Sequence, residues 1–301
     1  MPITVRPGTA EDSYAVFRIF VTTISDLGAR TGTQGITGGD DPAVLSDLWD
    51  RRRSLFEHLA RSADQFWVAE RDGEMIGYAR SIVRHSVREL TEFFVLPGHQ
   101  SAGVGRELLS RVFSRAGVAN RSIVATVDTR ALARYLKTGV TVRFPICNLA
   151  RVPEAIPLPA TDLTFEPVSE SPLTLAAIAA IDAPILGYRR DIDHAWLLND
   201  RQGFLYTRGG KTVGYGYVGY RSGPFALLDA ADFPAVLAHA EATAAQQYDL
   251  FAVELPMTNH TAIQYLLARG YTLDSFFAFF LTDHPVGTLE NYAFTSPPFF
   301  V

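Results

Sequence analysis

Val95-Leu96-Pro97-Gly98-His99-Gln100-Ser101-Ala102-Gly103-Val104-Gly105-Arg106-Glu107-Leu108-Leu109 decides how this chain is read. A β-rich run, Leu90 to Leu96, is broken by Pro97-Gly98. A glycine-spaced loop follows, and from Val104 to Phe113 the apolar residues recur at helical spacing. Strand, glycine loop and helix start together make an anion site. The first N–H groups of a helix have no internal partner, and the aligned peptide dipoles place roughly half a positive charge there. Glycines at 103 and 105 let the backbone approach a ligand closely, as phosphate requires.

The residues exclude two common phosphate motifs. A P-loop needs Gly-Lys-Ser/Thr at the helix start, but Gly105 is followed by Arg106-Glu107. The dinucleotide fingerprint needs a third glycine three residues after the second, where Leu108 stands. What remains is Gln-x-x-Gly-x-Gly, Gln100 to Gly105, behind Val95-Leu96-Pro97. This pattern resembles the acyl-coenzyme A pyrophosphate loop of the GCN5-related N-acetyltransferase (GNAT) superfamily. An ordinary glycine-rich turn would require neither the Val-x-Pro lead-in nor the glutamine. The resemblance implies acetyl-CoA as co-substrate and no metal. Its pantetheine arm would pair with backbone groups near Phe94, Val95 and Leu96, like an added strand. Its diphosphate would lie against Gln100, Ser101, Ala102, Gly103, Val104, Gly105 and Arg106.

Bulk properties agree with a globular, soluble protein. A chain of 301 residues has room for about two domains. With 48% hydrophobic and 20% charged residues, it can bury a sizeable core. A net charge of −5, with no basic run beyond Arg51-Arg52-Arg53, argues against nonspecific nucleic-acid binding. The N-terminus lacks a signal-peptide core and no segment approaches membrane-spanning length, so the expectation is a cytoplasmic protein that binds no membrane. Cys147 is the single cysteine, which excludes an internal disulfide and reads as a buried small hydrophobe.

The chain also repeats itself. Phe66 to Tyr78 and Phe204 to Tyr215 each read as strand, tight turn and strand. Asp128 to Gly139 and Asn259 to Gly270 each read as a short helix, opened by a capping residue and closed by glycine. Ile3-Thr4-Val5-Arg6-Pro7 and Leu163-Thr164-Phe165-Glu166-Pro167 each precede an apolar-periodic helix. Three landmarks in one order indicate a tandem duplication, with domains 1–150 and 151–301 joined near the proline-rich stretch from Val152 to Ala160. The expected fold class is α+β, each copy a mixed, mostly antiparallel sheet flanked by helices. The pattern of the late helix is also similar to the GNAT superfamily, so the resemblance covers nearly the whole chain as two copies.

The copies are unequal. In the second, Gly219 to Ala235 replaces the glycine loop, and the helix from Pro234 reads as capped by Asp232. An acidic cap would occupy the N–H groups that a diphosphate needs and repel the ligand. The second copy is therefore expected to be degenerate, with a structural or acceptor-site role. In the superfamily, a tyrosine seven residues after the helix-capping residue commonly protonates the departing thiolate. That position is Tyr135 in the first copy and Leu266 in the second, with Tyr265 one place off. Asp128 stands where the family has Asn, so a helix cap is its first role and coenzyme contact its second.

The implied reaction is direct acetyl transfer to a primary amine in a ternary complex. The amine must first lose a proton, and Glu92 is the candidate base, sharing a strand face with Phe94 and Leu96; Glu89 is second. The Val95 N–H is the natural donor to the oxyanion. Tyr135, with a free phenol pKa of about 10, would protonate the thiolate. The acceptor, a small molecule or a peptide, is not legible; the glycine-rich Thr31–Pro42 loop and the second-copy aromatics Trp196, Tyr206, Tyr215, Tyr217 and Tyr220 are candidate contacts. Ser296 to Val301 reads as an apolar tail docked on a domain, no histidine shows a catalytic partner pattern, and monomer and dimer both remain open. Two rival readings stand: an acyl-CoA-binding sensor without turnover, and a mycothiol-synthase-like acetyltransferase, disfavoured because such an enzyme would work in its second half.

Overall fold

The entry of the chain is set by Asp12. Its carboxylate accepts the Thr9 backbone N–H at 2.8 Å and two guanidinium N–H groups of Arg6 at 2.9 Å. The Arg6 hydrogen bond is the main reason the Asp12 pKa is lowered, against the opposing effect of burial. This joins strand β1 (Thr4–Pro7) to helix α1 (Ser13–Thr31), which buries Val16, Phe17, Phe20, Ile24 and Leu27 at helical spacing. Helix α2 (Pro42–Ser62) opens with Asp41 accepting from Ala43 N–H at 2.8 Å and buries Leu45, Leu48, Leu55, Phe56 and Leu59.

In this computed structural model, residues 2–33, 41–100 and 103–295 are described. They pack as two units, Met1–Ile123 and Val124–Val301. In the first unit, β2 (Gln65–Arg71) and β3 (Glu74–Arg84) form a hairpin through Asp72-Gly73, both residues at positive φ as a two-residue turn demands. Strand β4 (Val87–Val95) runs antiparallel to β3. Helix α3 (Val104–Val112) crosses over to β5 (Asn120–Thr126), which starts parallel to β4. Successive strand residues point to opposite faces. Phe66 lies on the face where Arg80 and Phe56 of α2 meet, and Trp67 lies on the other, beneath Arg111 of α3.

The second unit begins with α4 (Thr129–Lys137) and β6 (Thr141–Arg151). It continues through β7 (Thr164–Val168), α5 (Pro172–Leu186) and α6 (Asp191–Asp200). A hairpin of β8 (Gln202–Arg208) and β9 (Lys211–Val218) turns at Gly209-Gly210. Then come β10 (Phe225–Leu227), α7 (Phe233–Ala244), β11 (Phe251–Pro256) and α8 (His260–Ala268). The short strands β12 (Thr272–Leu273), β13 (Ala278–Thr282) and β14 (Tyr292–Ala293) finish the described chain. One sheet has the order β14-β10-β9-β8-β7. In a second ladder β6 is central, with β11 on one edge and β12 and β13 on the other. The core between helices and strands gathers Leu149, Phe204, Phe225, Phe233, Val236, Phe251 and Leu266.

The fold class is as expected: mixed α and β, mostly antiparallel, with both hairpins and both capped helices where the repeat places them. The packing division does not follow the repeat, however. The last strand of the first copy, β6, hydrogen-bonds with three strands of the second copy, so it belongs by contact to the second unit. The repeat boundary near residue 150 is a property of sequence, and the division at 123 one of hydrogen bonding and packing. Cys147 lies within β6, 1% exposed, and its thiol is pushed up to about 11 by burial and then by Glu254, which fits an inert core residue. The tail Ser296 to Val301 lies outside the described residues.

A fragment ending at Arg151 leaves β6 without β11, β12 and β13. Its amides over 141–151 will exchange with solvent orders of magnitude faster than in the intact chain. Equal protection in both, measured by hydrogen exchange, would show that β6 does not depend on the second copy.

Candidate functional site

The loop that opened the sequence reading is built on two glycine conformations. The Leu96 carbonyl accepts from His99 N–H at 3.1 Å across Pro97-Gly98, with Gly98 at φ 82, as the third residue of a type II turn requires. Gly103 precedes α3 in the left-handed region at φ 86, and no side chain caps the helix. Its carbonyl accepts from Arg106 and Glu107 N–H at 3.0 and 3.1 Å, so the N–H groups before them stand at an uncapped start. Among the described residues, no heavy atom lies within 4 Å of where a Gly103 Cβ would be, apart from its chain neighbours. Open space therefore stands before a helix start rich in N–H donors, which fits a diphosphate. Gln100 donates its side-chain N–H to the Val95 carbonyl at 3.0 Å and so ties the loop to β4. Ser101 and Ala102 lie outside the described residues, as does most of the Thr31–Pro42 loop.

Strand β4 carries the second element of the site. Its ladder with β5 runs from Val87 to Leu90. Beyond a bulge at Thr91, the ladder continues on the β3 side only among the described residues, with Glu92 opposite Arg80 and Val95 opposite Gly77. The other edge, through Phe94 and Val95, is left for another partner. Residues named in the sequence for the pantetheine arm thus lie on one unladdered edge, immediately before the loop.

Glu92 is placed differently from the expectation. It is 1% exposed, accepts from Tyr78 Oη at 2.8 Å, and is ion-paired with Arg80. Burial is the main cause of its raised pKa, opposed by Arg80. Both carboxylate oxygens are engaged, so none is offered directly to an amine. Arg80 also donates to the Phe56 carbonyl at 2.9 Å. The face around them is closed by Phe20, Phe56 and Phe94. Glu89 is also buried, opposite Ile82.

Tyr135 and Asp128 belong to the second unit. Asp128 caps α4, accepting from Arg130 and Ala131 N–H at 2.9 and 3.3 Å. Tyr135 is 6% exposed, and its phenol is raised well above the usual range by burial and then by Asp128. A phenol so raised holds its proton more firmly than a free tyrosine does. At the matching place in α8, Leu266 is fully buried and Asn259 caps the helix through Ala262 N–H at 3.1 Å.

The second copy lacks both elements of the site, for a reason other than the one expected. Asp232 does not cap α7; its carboxylate accepts from Arg208 at 2.7 Å. Asp229 instead caps a 3-10 turn, Ala230–Asp232, that leads into the helix, accepting from Ala231 N–H at 2.9 Å. The counterpart of β4, β10, has three residues, and its edge away from β9 is filled by β14, with Phe225 opposite Ala293 and Ala226 opposite Tyr292. Asn291 adds side-chain hydrogen bonds to the Leu227 and Leu228 carbonyls, both at 2.9 Å.

Beneath α5 and α6 lies a cluster that sequence reading missed. His194 Nε2 donates to Asp182 Oδ2 at 2.7 Å, and Tyr217 Oη lies 2.8 Å from Nδ1. Arg190 donates to Asp182 at 3.0 Å, and Tyr215 donates to its other oxygen at 2.5 Å. These side chains are at most 1% exposed. They lie far apart in sequence, so no local pattern announced them. Sealed from solvent, they hold a core together rather than meet a substrate. Tyr206, Tyr215 and Tyr217 are likewise core, leaving Trp196 half-buried and Tyr220 exposed.

Residues 62–141 match the family model described as acetyltransferase (GNAT) domain. No curated protein matches the chain. An acetyltransferase candidate from Pyrococcus horikoshii has a similar structure, with TM-score 0.69 and 14% identity over 96% of this chain and 92% of that one. A tandem GNAT protein of the clavulanic acid biosynthesis pathway superposes with TM-score 0.58 and 14% identity, over 94% and 99%. A GCN5-related N-acetyltransferase from Sphaerobacter thermophilus gives 0.57 and 15%, over 96% and 98%. At such identities the likeness speaks for the fold. Residues 62–141 thus match a GNAT acetyltransferase domain, and nearly the whole chain shares the fold of a tandem GNAT protein. Among the described residues no helix is long and apolar enough to cross a membrane, and no group of three metal-ligating side chains comes together.

Asp182 carries a pH prediction. Burial pushes its carboxyl up, but Arg190 and then His194 outweigh burial and bring it down to about 2. A depressed carboxyl stabilises the fold above its unfolded pKa of about 3.9 and loses that contribution as pH falls toward 2. Asp182→Asn should cost about 3 kcal/mol at neutral pH by leaving Arg190 uncompensated. It should also flatten the acid limb of stability between about pH 4 and 2. A denaturation series across pH that superposes on wild type would refute the assignment.

Proposed function

We propose that this chain transfers the acetyl group of acetyl-CoA directly to a primary amine, using one coenzyme site, in its first copy. The observation that carries this reading is the uncapped start of α3 at Gly103, following a β4 edge without a ladder partner. The diphosphate accepts hydrogen bonds from the N–H groups at that start, with Arg106 adding positive charge in the first turn. The pantetheine arm pairs along Phe94 and Val95 as a strand would. Gln100, bonded to the Val95 carbonyl, holds the loop in register with that edge.

Transfer begins with a neutral amine attacking the thioester carbonyl. The tetrahedral oxyanion takes a hydrogen bond from the Val95 N–H. As the C–S bond breaks, Tyr135 donates a hydrogen bond to the departing sulfur and keeps its own proton, and the proton lost by the attacking nitrogen passes through solvent to the thiolate, giving the amide and free coenzyme A thiol. Glu92 acts as a positioning residue, fixing Tyr78 and Arg80 on the sheet face behind Phe94. The second copy is structural, because β14 already fills the edge where a coenzyme would pair.

Calorimetric titration should find one acetyl-CoA per chain; two sites would overturn the assigned inequality of the copies. Gly103→Glu puts an anionic side chain at a left-handed position facing the ligand, and it should weaken acetyl-CoA binding at least about a hundredfold. Equal affinity in the variant would end the coenzyme assignment. Tyr135→Phe should bind acetyl-CoA as wild type does and lose about a hundredfold or more in turnover across an amine panel. Unchanged turnover would remove Tyr135 from the mechanism, and a wild type without turnover would favour the sensor reading.

A further inference from the structure

Beside the loop stands a cation without an acid. Arg71 ends β2, and its Nη1 lies 3.3 Å from His99 Nδ1. The Pro97-Gly98 turn brings His99 back over the hairpin. A ring nitrogen facing a guanidinium N–H is the acceptor, which leaves the His99 proton on Nε2. Among the described residues no carboxylate pairs with Arg71, although Glu70, Asp72 and Glu74 are its near neighbours in sequence. Glu70 accepts from Arg6 at 2.9 Å instead. The Arg71 Nε is buried and has no hydrogen bond.

Three other partly buried arginines meet a carboxylate. Arg88 pairs with Asp64 at 3.0 Å, Arg208 with Asp232 at 2.7 Å and Arg269 with Glu241 at 3.2 Å. A buried donor left unmatched costs stability unless a ligand satisfies it. Arg71 and His99 together offer a guanidinium end and an imidazole N–H, donors that a phosphate monoester takes.

We infer that Arg71 and His99 bind the ribose 3′-phosphate of coenzyme A and make the protein discriminate against coenzymes that lack it. The inference rests on the coenzyme reading given above. The diphosphate is assigned to the N–H groups at Gly103, and the 3′-phosphate is the one other anionic group of coenzyme A. His99 stands four residues before Gly103 in the same loop, so both anions fall to one segment of chain.

The test compares acetyl-CoA with acetyl-3′-dephospho-CoA by calorimetric titration of the full chain. Wild type should bind acetyl-CoA about tenfold or more tightly than the dephospho form. Arg71→Ala should erase that difference, losing affinity for acetyl-CoA while keeping that for the dephospho form, and Arg71→Lys should restore most of it. His99→Ala should lose part of it. Equal binding of both coenzymes by wild type would overturn this inference and leave the diphosphate site standing. Equal losses for both ligands in Arg71→Ala would overturn it too, by giving Arg71 a merely structural role. Binding of neither ligand by wild type would overturn the coenzyme reading, and this inference with it.

Discussion

The bare edge of β4 is the constraint on which the rest depends. Backbone N–H and C=O groups in a sheet need partners, and an unpaired edge is filled by chain, water or ligand. After the bulge at Thr91, β4 keeps a ladder with β3 alone. The next residues form a type II turn and an uncapped helix start. Among the described residues, the edge has no ladder partner beyond β3 and the helix start no side-chain cap, which suits a ligand with an amide arm and a diphosphate. The second copy answers the same constraint internally. There β14 occupies the edge of β10, and a capped 3-10 turn replaces the open helix start.

Both copies bury charge on the same part of the sheet. Tyr78 follows Gly77 on β3, and Tyr215 follows Gly214 on β9, and each hydroxyl donates to a buried carboxylate. The carboxylate comes from β4 in the first copy, as Glu92, and from α5 in the second, as Asp182. An arginine neutralises each, Arg80 from β3 and Arg190 from just before α6. Removing one member of such a group leaves a buried charge alone, at a cost of about 3–5 kcal/mol. Each sheet thus carries the tyrosine after a glycine, while the charged partners come from different elements. This bears on mechanism, since a glutamate on the strand before the loop is by position a candidate base, yet packing ties both its oxygens to Tyr78 and Arg80.

The duplication is also not a simple chain of beads. Strand β6, last of the first copy by sequence, lies between β11 and the β12–β13 pair of the second. Cys147 and Leu149 on β6 enter the same core as Phe251 and Leu266. The late helix α4, with Asp128 and Tyr135, also belongs to the second unit. The glycine loop and Tyr135 were read from one repeat, but they are packed in different units.

Sequence by itself determined the features that live within a few residues. These are the two-residue hairpin turns at Asp72-Gly73 and Gly209-Gly210, the caps Asp128 and Asn259, and the glycine loop before α3. Turn, cap and loop are local because φ restrictions and first-turn hydrogen bonds act over two to four residues. Tertiary structure decided whatever depends on partners distant along the chain. It sealed Glu92 with Tyr78 and Arg80, joined His194 to Asp182, drew Asp232 away from its helix to Arg208, and closed β10 with β14. A residue's type says which hydrogen bonds it can make, and only the packed fold says which neighbour arrives to make them.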